Sequence, residues 1–327
     1  MRQTYRTGLA LAALALIALA ATKTCAADYP DRPVRVVVPF AAAGVTDVVA
    51  RVVFDRIGQV TGKTFVIDNR PGAGGTIAVG QVASSDPDGY TLVMSDPSGS
   101  LPANITLYPD LKYDPRKDLA PVAIFGNTGA MLVVSNGFPA KTLQELVALG
   151  RSEPSELTYA STGIGTPGHL NGALFCKLAG IAAVHVPYRV VGQAVTDLIA
   201  GRTSFWISPI PTNLQQVQQG QLRVLAVAGN ERSPDLPDVP TMRETGIGDF
   251  DASTTYAVFA PTGTPNDNLN WLRGQIKSAL DDAGVQQKLH AAGVQPKYGT
   301  PDDIAQLLAA QTPQWADVIK SAGIKIN

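Results

Sequence analysis

The residues of this 327-residue chain that could do chemistry are few: three histidines, two cysteines and several glycine-rich turns. His169, His185 and His290 include no i,i+4 pair of the kind that sets two imidazoles on one helix face for zinc. With Cys25 inside an N-terminal leader, no cysteine pair remains to assist, so neither a metal nor a cofactor is expected. Gly-x-Ser-x-Gly, the turn of a serine hydrolase, and Gly-x-x-x-x-Gly-Lys-Ser/Thr, the phosphate loop of an NTPase, are both missing from the sequence. Gly163, Gly165 and Gly168 do satisfy Gly-x-Gly-x-x-Gly between a strand pattern and a helix pattern. There, backbone amides and a helix N-terminus can hold an anion. Pro167 removes one of those donors, and the region 184–189 offers no acid for a ribose, so a small anion suits this loop better than a dinucleotide.

A second loop of the same kind spans 39–46, where Ala41, Ala42, Ala43 and Gly44 allow close approach to the backbone. Either loop alone reads as an ordinary turn between strand and helix. Two of them, one in each half of the chain, would present facing amides to one ligand, because ligands of open α/β sheets sit beyond the carboxyl ends of strands.

The elements that must position these loops follow a repeated order. Residues 34–38 are apolar at nearly every position, as in a strand covered on both faces. Residues 46–60 then carry Val49, Val52, Val53, Ile57 and Val60 at helical spacing, with Thr46 as the expected N-cap. Strands at 65–67, 91–95, 157–160, 184–186, 205–207 and 224–227 continue the series, with helices at 76–83, 169–178 and 192–199 and a turn or short helix after 97–100. This alternation predicts parallel α/β sheets. Helical patterns at 268–280 and 301–310, and a final helix holding Val318 and Ile319, close the chain. Extended crossings near 127–133 and 254–260 make the second lobe an insertion in the first: 28–127 with 257–327 as one lobe, 128–256 as the other.

Composition narrows the class. Apolar residues make up 45% and charged ones 16%, which excludes a charge-rich disordered chain. No basic block supports nucleic-acid binding. Arg2 and Arg6 precede an apolar run at 8–21 and small residues at 25–27, the pattern of a secretory signal peptide cleaved near Ala27. Its loss removes three of 26 basic residues and none of the 27 acidic ones, leaving a net charge of −4. Cys176 then stands alone among Leu170, Ala173, Leu174 and Leu178 and reads as a small buried hydrophobe.

At these residues the sequence resembles the periplasmic substrate-binding proteins of the tripartite tricarboxylate transporter group, the Bug family. The shared features run over nearly the whole mature chain: Tyr29-Pro30, 36–44 with Asp47, Asn69-Arg70-Pro71-Gly72-Ala73-Gly74-Gly75, and Asp88-Gly89-Tyr90-Thr91-Leu92. They continue through Tyr113-Asp114-Pro115, Gly163-x-Gly165-Thr166 with His169-Leu170, His185-Val186-Pro187-Tyr188, Leu236-Pro237-Asp238-Val239-Pro240-Thr241 and Ala260-Pro261-x-Gly263-Thr264-Pro265. The resemblance implies a two-lobed, type II-like periplasmic binding protein whose α/β sandwich lobes are joined by a two-strand hinge. It also implies a monomer that closes on a small carboxylate and delivers it to a two-component integral membrane permease. By position, Phe40, Ala43, Gly44, Thr46 and Asp47 form one jaw, while Ser161, Gly163, Gly165, Thr166 and His169 form the other. Ser98 sits where the family often has a ligand-facing hydroxyl, and Ser208 stands where it has an aspartate after a phenylalanine.

Alternatives stay open at several of these positions. Asp47 suits its own helix N-terminus as well as a pocket wall. His169 could contact ligand or water, or could pack; Trp206 reads as core, with a pocket floor that favours an aromatic acid as the alternative. The loss of an acid at Ser208 predicts a ligand without an α-ammonium group. Two departures concern shape: Ala42-Ala43-Gly44 replaces the family's Pro-Gly-Gly, and Val190 follows Tyr188-Arg189 where a glycine is usual. Rival readings are an exported α/β enzyme acting on a carboxylate derivative, for which no nucleophile motif is present, and a sensor whose ligand-bound form engages a membrane receptor.

Overall fold

The computed structural model describes residues 29–153, 156–229, 231–248 and 250–326. The expected leader, 1–27, lies outside them. In β1 (Val34–Val38) the side chains of Val34, Val36, Val37 and Val38 are fully buried, as the continuous apolar run requires of a strand covered on both faces. It pairs in parallel with β2 (Phe65–Asn69) and β3 (Thr91–Ser95). The sheet is completed by β4 (Leu119–Thr128), β10 (Thr254–Pro261) and β11 (Gln295–Gly299), in the order β11-β4-β10-β3-β1-β2. A second sheet takes the intervening chain: β5 (Ala130–Ser135), β6 (Thr158–Ser161), β7 (Val184–Pro187), β8 (Phe205–Pro209) and β9 (Leu222–Ala228), in the order β7-β6-β8-β5-β9.

Both sheets are mixed, where the alternating pattern predicted parallel ones. Strands β10 and β11 run antiparallel to their neighbours in the first sheet, and β5 runs antiparallel to β8 and β9 in the second. The crossing explains it. Only Gly129 separates β4 from β5, so the chain leaves one sheet and enters the next almost without turning. A strand that begins at this junction must oppose the strands that end there, and β10, which returns across it, obeys the same constraint.

Strands of both sheets feed helices. Strand β1 leads to α1 (Val45–Thr61), β2 through a 3₁₀ turn at Ala73–Gly75 to α2 (Thr76–Ala83), and β3 to α3 (Ser100–Leu107). In the second sheet α4 (Leu143–Ser152) follows β5, α5 (Pro167–Ala179) follows β6, α6 (Val191–Ile199) follows β7 and α7 (Ile210–Gln218) follows β8. Helix α1 buries Val49, Ala50, Val53, Phe54 and Ile57 along one stripe. Burying each larger side chain contributes about 1.5–3 kcal/mol. Its N-cap is Gly44 rather than Thr46: Gly44 is extended and its carbonyl takes the first helical bond from Val48, which puts Thr46 inside the first turn.

The C-terminal section holds more structure than its periodicity indicated. Between α8 (Asn266–Leu280) and β11 lies α9 (Ala283–Ala291), and the two helical patterns after residue 300 form one helix, α10 (Pro301–Ser321), with Pro313 inside it. Thr300 and Asp303 close a reciprocal capping box at its start. Helix α10 packs on α3 from the first half and on α5 from the second, and Trp315 Nε1 donates to the Ser98 carbonyl at 2.8 Å. One apolar cluster therefore joins Leu107 of α3, Leu170 and Phe175 of α5, and Trp315, Val318 and Ile319 of α10. No helix among the described residues is long and apolar enough to cross a membrane.

Candidate functional site

The loop after β1 is built on a bond between its own backbone and the helix it opens. Ala43 takes the left-handed conformation, φ 63°, and its N–H donates to Asp47 Oδ2 at 2.9 Å; the Gly44 N–H donates to the Ala41 carbonyl at 3.3 Å. Asp47 is in turn gripped by Arg51, at 3.0 Å, and Arg51 Nη2 reaches Asn69 Oδ1 at the end of β2. Asn69 closes the circuit by donating to the Phe40 carbonyl at 3.1 Å. Burial pushes the Asp47 carboxyl upward, but the hydrogen bonds from Arg51, Ala43 and Asn69 outweigh it and hold the group below the usual carboxylate range.

The loop after β6 repeats that turn with different chemistry. Gly165, φ 75°, donates its N–H to His169 Nδ1 at 3.0 Å, and the Thr166 N–H donates to the Gly163 carbonyl at 3.4 Å. The helix-capping residues have almost identical backbones: Gly44 at φ −72°, ψ 162° and Thr166 at φ −72°, ψ 160°. In each case the residue before the cap is left-handed and bonds the third residue of the helix, an aspartate in one loop and a histidine in the other.

Beneath the second loop His169 stacks on His185, with centroids 3.6 Å apart and planes 4° from parallel. Because Nδ1 of His169 accepts from Gly165, its proton in the neutral ring lies on Nε2. His185 Nε2 lies 2.6 Å from Ser161 Oγ, which also accepts the Gly163 N–H at 3.0 Å. Burial, and for His169 also the adjacent ring, lowers both imidazoles to about 4, so the pair is uncharged at neutral pH. Neither ring brings positive charge to an anion.

These bonds reassign the expected donors. The N–H groups of Ala43, Gly44, Gly163, Gly165 and Thr166 are consumed within their own loops. The first intrahelical bonds are made by Val48 and Leu170, so the amides that precede them, those of Val45, Thr46 and Asp47 in the first helix and of Gly168 and His169 in the second, have no intrahelical acceptor. Pro167 has none to give. Thr46 lies in the first turn of α1, with its amide among these. Asp47 and His169 act as braces for the loops.

Ser98 and Ser208 make their hydrogen bonds outside the two loops. Ser98 Oγ lies 2.6 Å from Asp96 Oδ1 and 3.0 Å from the Ser253 carbonyl and accepts the Thr255 N–H, so it ties β3 to the start of β10. It borders a separate cavity of about 460 Å³ with Asn127, Thr255 and Lys297. Burial raises the Asp96 carboxyl there despite its bonds from Ser98, Ser100 and Thr255. Ser208 is fully buried at the end of β8, where its hydroxyl accepts from Asn213 Nδ2 at 2.8 Å. Trp206 is core, 2% exposed. Cys176 is partly buried, its thiol pushed up to about 12 by burial, a poor nucleophile. Sequence reasoning missed His185, Asn69 and Arg51 as parts of the site. The first two lay within quoted motifs, but only the parallel pairing of β6 with β7 and of β1 with β2 shows what they hold.

Known proteins share this architecture. A family model described as the tripartite tricarboxylate transporter family receptor matches residues 49–324. Protein BugT of Bordetella pertussis is 36% identical over 307 residues, 94% of this chain and 94% of that protein. Among solved structures, R. palustris Rpa4515 with adipate is 33% identical with a TM-score of 0.78, over 91% of this chain and 99% of that one. MatC from Rhodopseudomonas palustris with bound malate is also 33% identical, with a TM-score of 0.76 over 89% of this chain and all of the other. With most of its length matched by the family and by relatives above 30% identity, the chain belongs to the tripartite tricarboxylate transporter receptors.

Proposed function

We propose that this protein captures a small organic carboxylate outside the cytoplasmic membrane and presents it to an integral membrane permease, without making or breaking a bond. The observation that carries the reading is the pair of matched turns, each of which fixes its shape with its own amides and brings the unbonded amides of a helix N-terminus to the end of a strand. Amide donors bind a charged acceptor more strongly than a neutral one, and a helix N-terminus favours negative charge. The two sheets form the two lobes, with residues 28–127 and 257–327 in one and 128–256 in the other. The ligand selects the closed arrangement by touching both loops.

The ligand lacks an α-ammonium group. The acid in the first loop, Asp47, is committed to Arg51 and Ala43, and near the end of β8 Ser208 offers a hydroxyl bonded to Asn213 in place of a carboxylate. An enzymatic reading has one specific feature in its favour, the Ser161 hydroxyl 2.6 Å from an imidazole. Ser161 is fully buried and bonded to Gly163, which gives it no approach to a substrate carbonyl. A thermal-shift screen against adipate, malate, citrate, benzoate, aspartate and glutamate tests the proposal. A ligand at about 1,000 times its dissociation constant stabilises by about 4 kcal/mol. The expected result is a shift with at least one carboxylate and none with the amino acids. No shift with any carboxylate refutes capture.

A further inference from the structure

Exposed aliphatic side chains follow two adjacent strands, β6 and β7, the first of which leads into the second loop. Strands β6 and β7 run parallel with Ser161 opposite Pro187, and the Tyr188 N–H extends the ladder by donating to the Ser161 carbonyl at 2.9 Å. Ile164 and Val190 each lie three residues beyond that register pair, and Val191 follows. Neighbouring strands are about 4.8 Å apart, so the two segments leave the sheet from adjacent positions. Ile164 is 48% exposed, Val190 55% and Val191 44%. Gly165, next to Ile164, rests on Leu107 and Ile326, so further hydrocarbon adjoins the same loop.

Cations are scarce at these strand ends. Residues 162–169 contain no lysine or arginine, and β8 passes directly into α7. Arg51 is held by Asp47 and Asn69, and Arg70 by Asp68. Arg189 alone, between Tyr188 and Val190, engages no partner among the described residues. The inventory is therefore a set of amides without an intrahelical acceptor, one available guanidinium and three solvent-facing aliphatic groups. It meets one carboxylate well. A hydroxylated polyacid would bring further charges and hydroxyls to a rim that offers them hydrocarbon, and their desolvation would go uncompensated.

We propose that Ile164, Val190 and Val191 receive the hydrocarbon body of the ligand, making the cargo a carboxylate with an apolar chain or ring of several carbons rather than a hydroxylated polyacid. This rests on the capture reading above. Each methylene laid against the rim raises affinity about fourfold, the transfer value of a buried CH₂. Calorimetric titration of the purified protein with butanoate, hexanoate and octanoate, and with malate and citrate, measures that slope directly.

The expected result is a rise of about fourfold per methylene, with octanoate tighter than malate and citrate. Ile164→Ser combined with Val190→Ser should flatten the slope, while Leu178→Ser, at an exposed aliphatic position on the last turn of α5, should preserve it. Circular dichroism of each variant confirms that it is folded, and Val190→Ser alone serves if the double variant is not. Tighter binding of malate or citrate than of octanoate, or a slope unchanged in the serine variants, overturns the inference and leaves capture standing. Failure of every carboxylate to bind overturns capture, and the inference with it.

Discussion

The loops after β1 and β6 adopt the same turn but are braced by opposite means. In the first, a buried aspartate holds the Ala43 N–H and is itself neutralised by Arg51, whose side chain is nearly half exposed. In the second, a neutral imidazole holds the Gly165 N–H and is supported by a stacked second imidazole and a buried hydroxyl. The geometry thus needs an acceptor at the third helical position and a left-handed residue before the cap, and it is indifferent to the charge of either. The chemistry decides how each loop answers to pH and to substitution.

The largest expected difference between them is acid sensitivity. Above about pH 6.5 His169 and His185 are neutral both folded and unfolded. Below it the unfolded chain takes up protons that the folded protein refuses until about pH 4, so stability falls as pH drops from 6.5 to 4. The loss is roughly 3 kcal/mol, counting one shift in full and discounting the partly exposed His185. Asp47, whose carboxyl is lowered, keeps its contribution above its unfolded value near 4 and loses it only in stronger acid. Urea midpoints at pH 7, 5.5 and 4 check this, and His185→Gln should flatten the profile; an unchanged profile in that variant contradicts the assignment of the loss to the stacked pair.

Removing the first brace comes next in size. Asp47→Ala strands the Ala43 N–H and frees Arg51, and should cost about 2 kcal/mol, the range for hydrogen bonds to a charged group. Equilibrium unfolding reads it, and a cost under half that figure would mean the loop is held from elsewhere. The smallest and sharpest comparison exchanges the left-handed residues. Ala43→Gly relieves a conformation unfavourable to any side chain and should stabilise by about 0.5–1 kcal/mol. Gly165→Ala should destabilise by about 1–2 kcal/mol, because the added methyl is left-handed and meets Ile326 and Leu107 at 3.1 and 3.2 Å. Equal effects at the two positions would break the equivalence of the turns.

Much of this was legible in residue pattern because it depended on local spacing. The run at 34–38 announced a central strand, and the small residues before α1 and α5 marked the turns that matter. What escaped depended on pairing between distant segments. Nothing near His185 in sequence says that β7 lies beside β6 and sets its ring against His169. The roles of individual glycines escaped for a related reason: a glycine-rich loop advertises accessible amides, yet here those of Gly44, Gly163 and Gly165 are bonded within their loops, and the amides without an intrahelical acceptor are those of Val45, Thr46, Asp47, Gly168 and His169. In α10, Pro313 and its polar neighbours interrupted the periodicity, but Ile304, Leu308, Trp315, Val318 and Ile319 keep enough buried surface to carry the helix through.

The contact of Ile326 with Gly165 has a practical side for handling the protein. A bulky label attached at the exposed Lys325 would sit beside the loop after β6, so its linker would compete for the space around Gly165. Labels that should leave that loop undisturbed belong instead on α8, at the exposed Ser278, which lines a small surface cleft with Arg56, Val60 and Asp282.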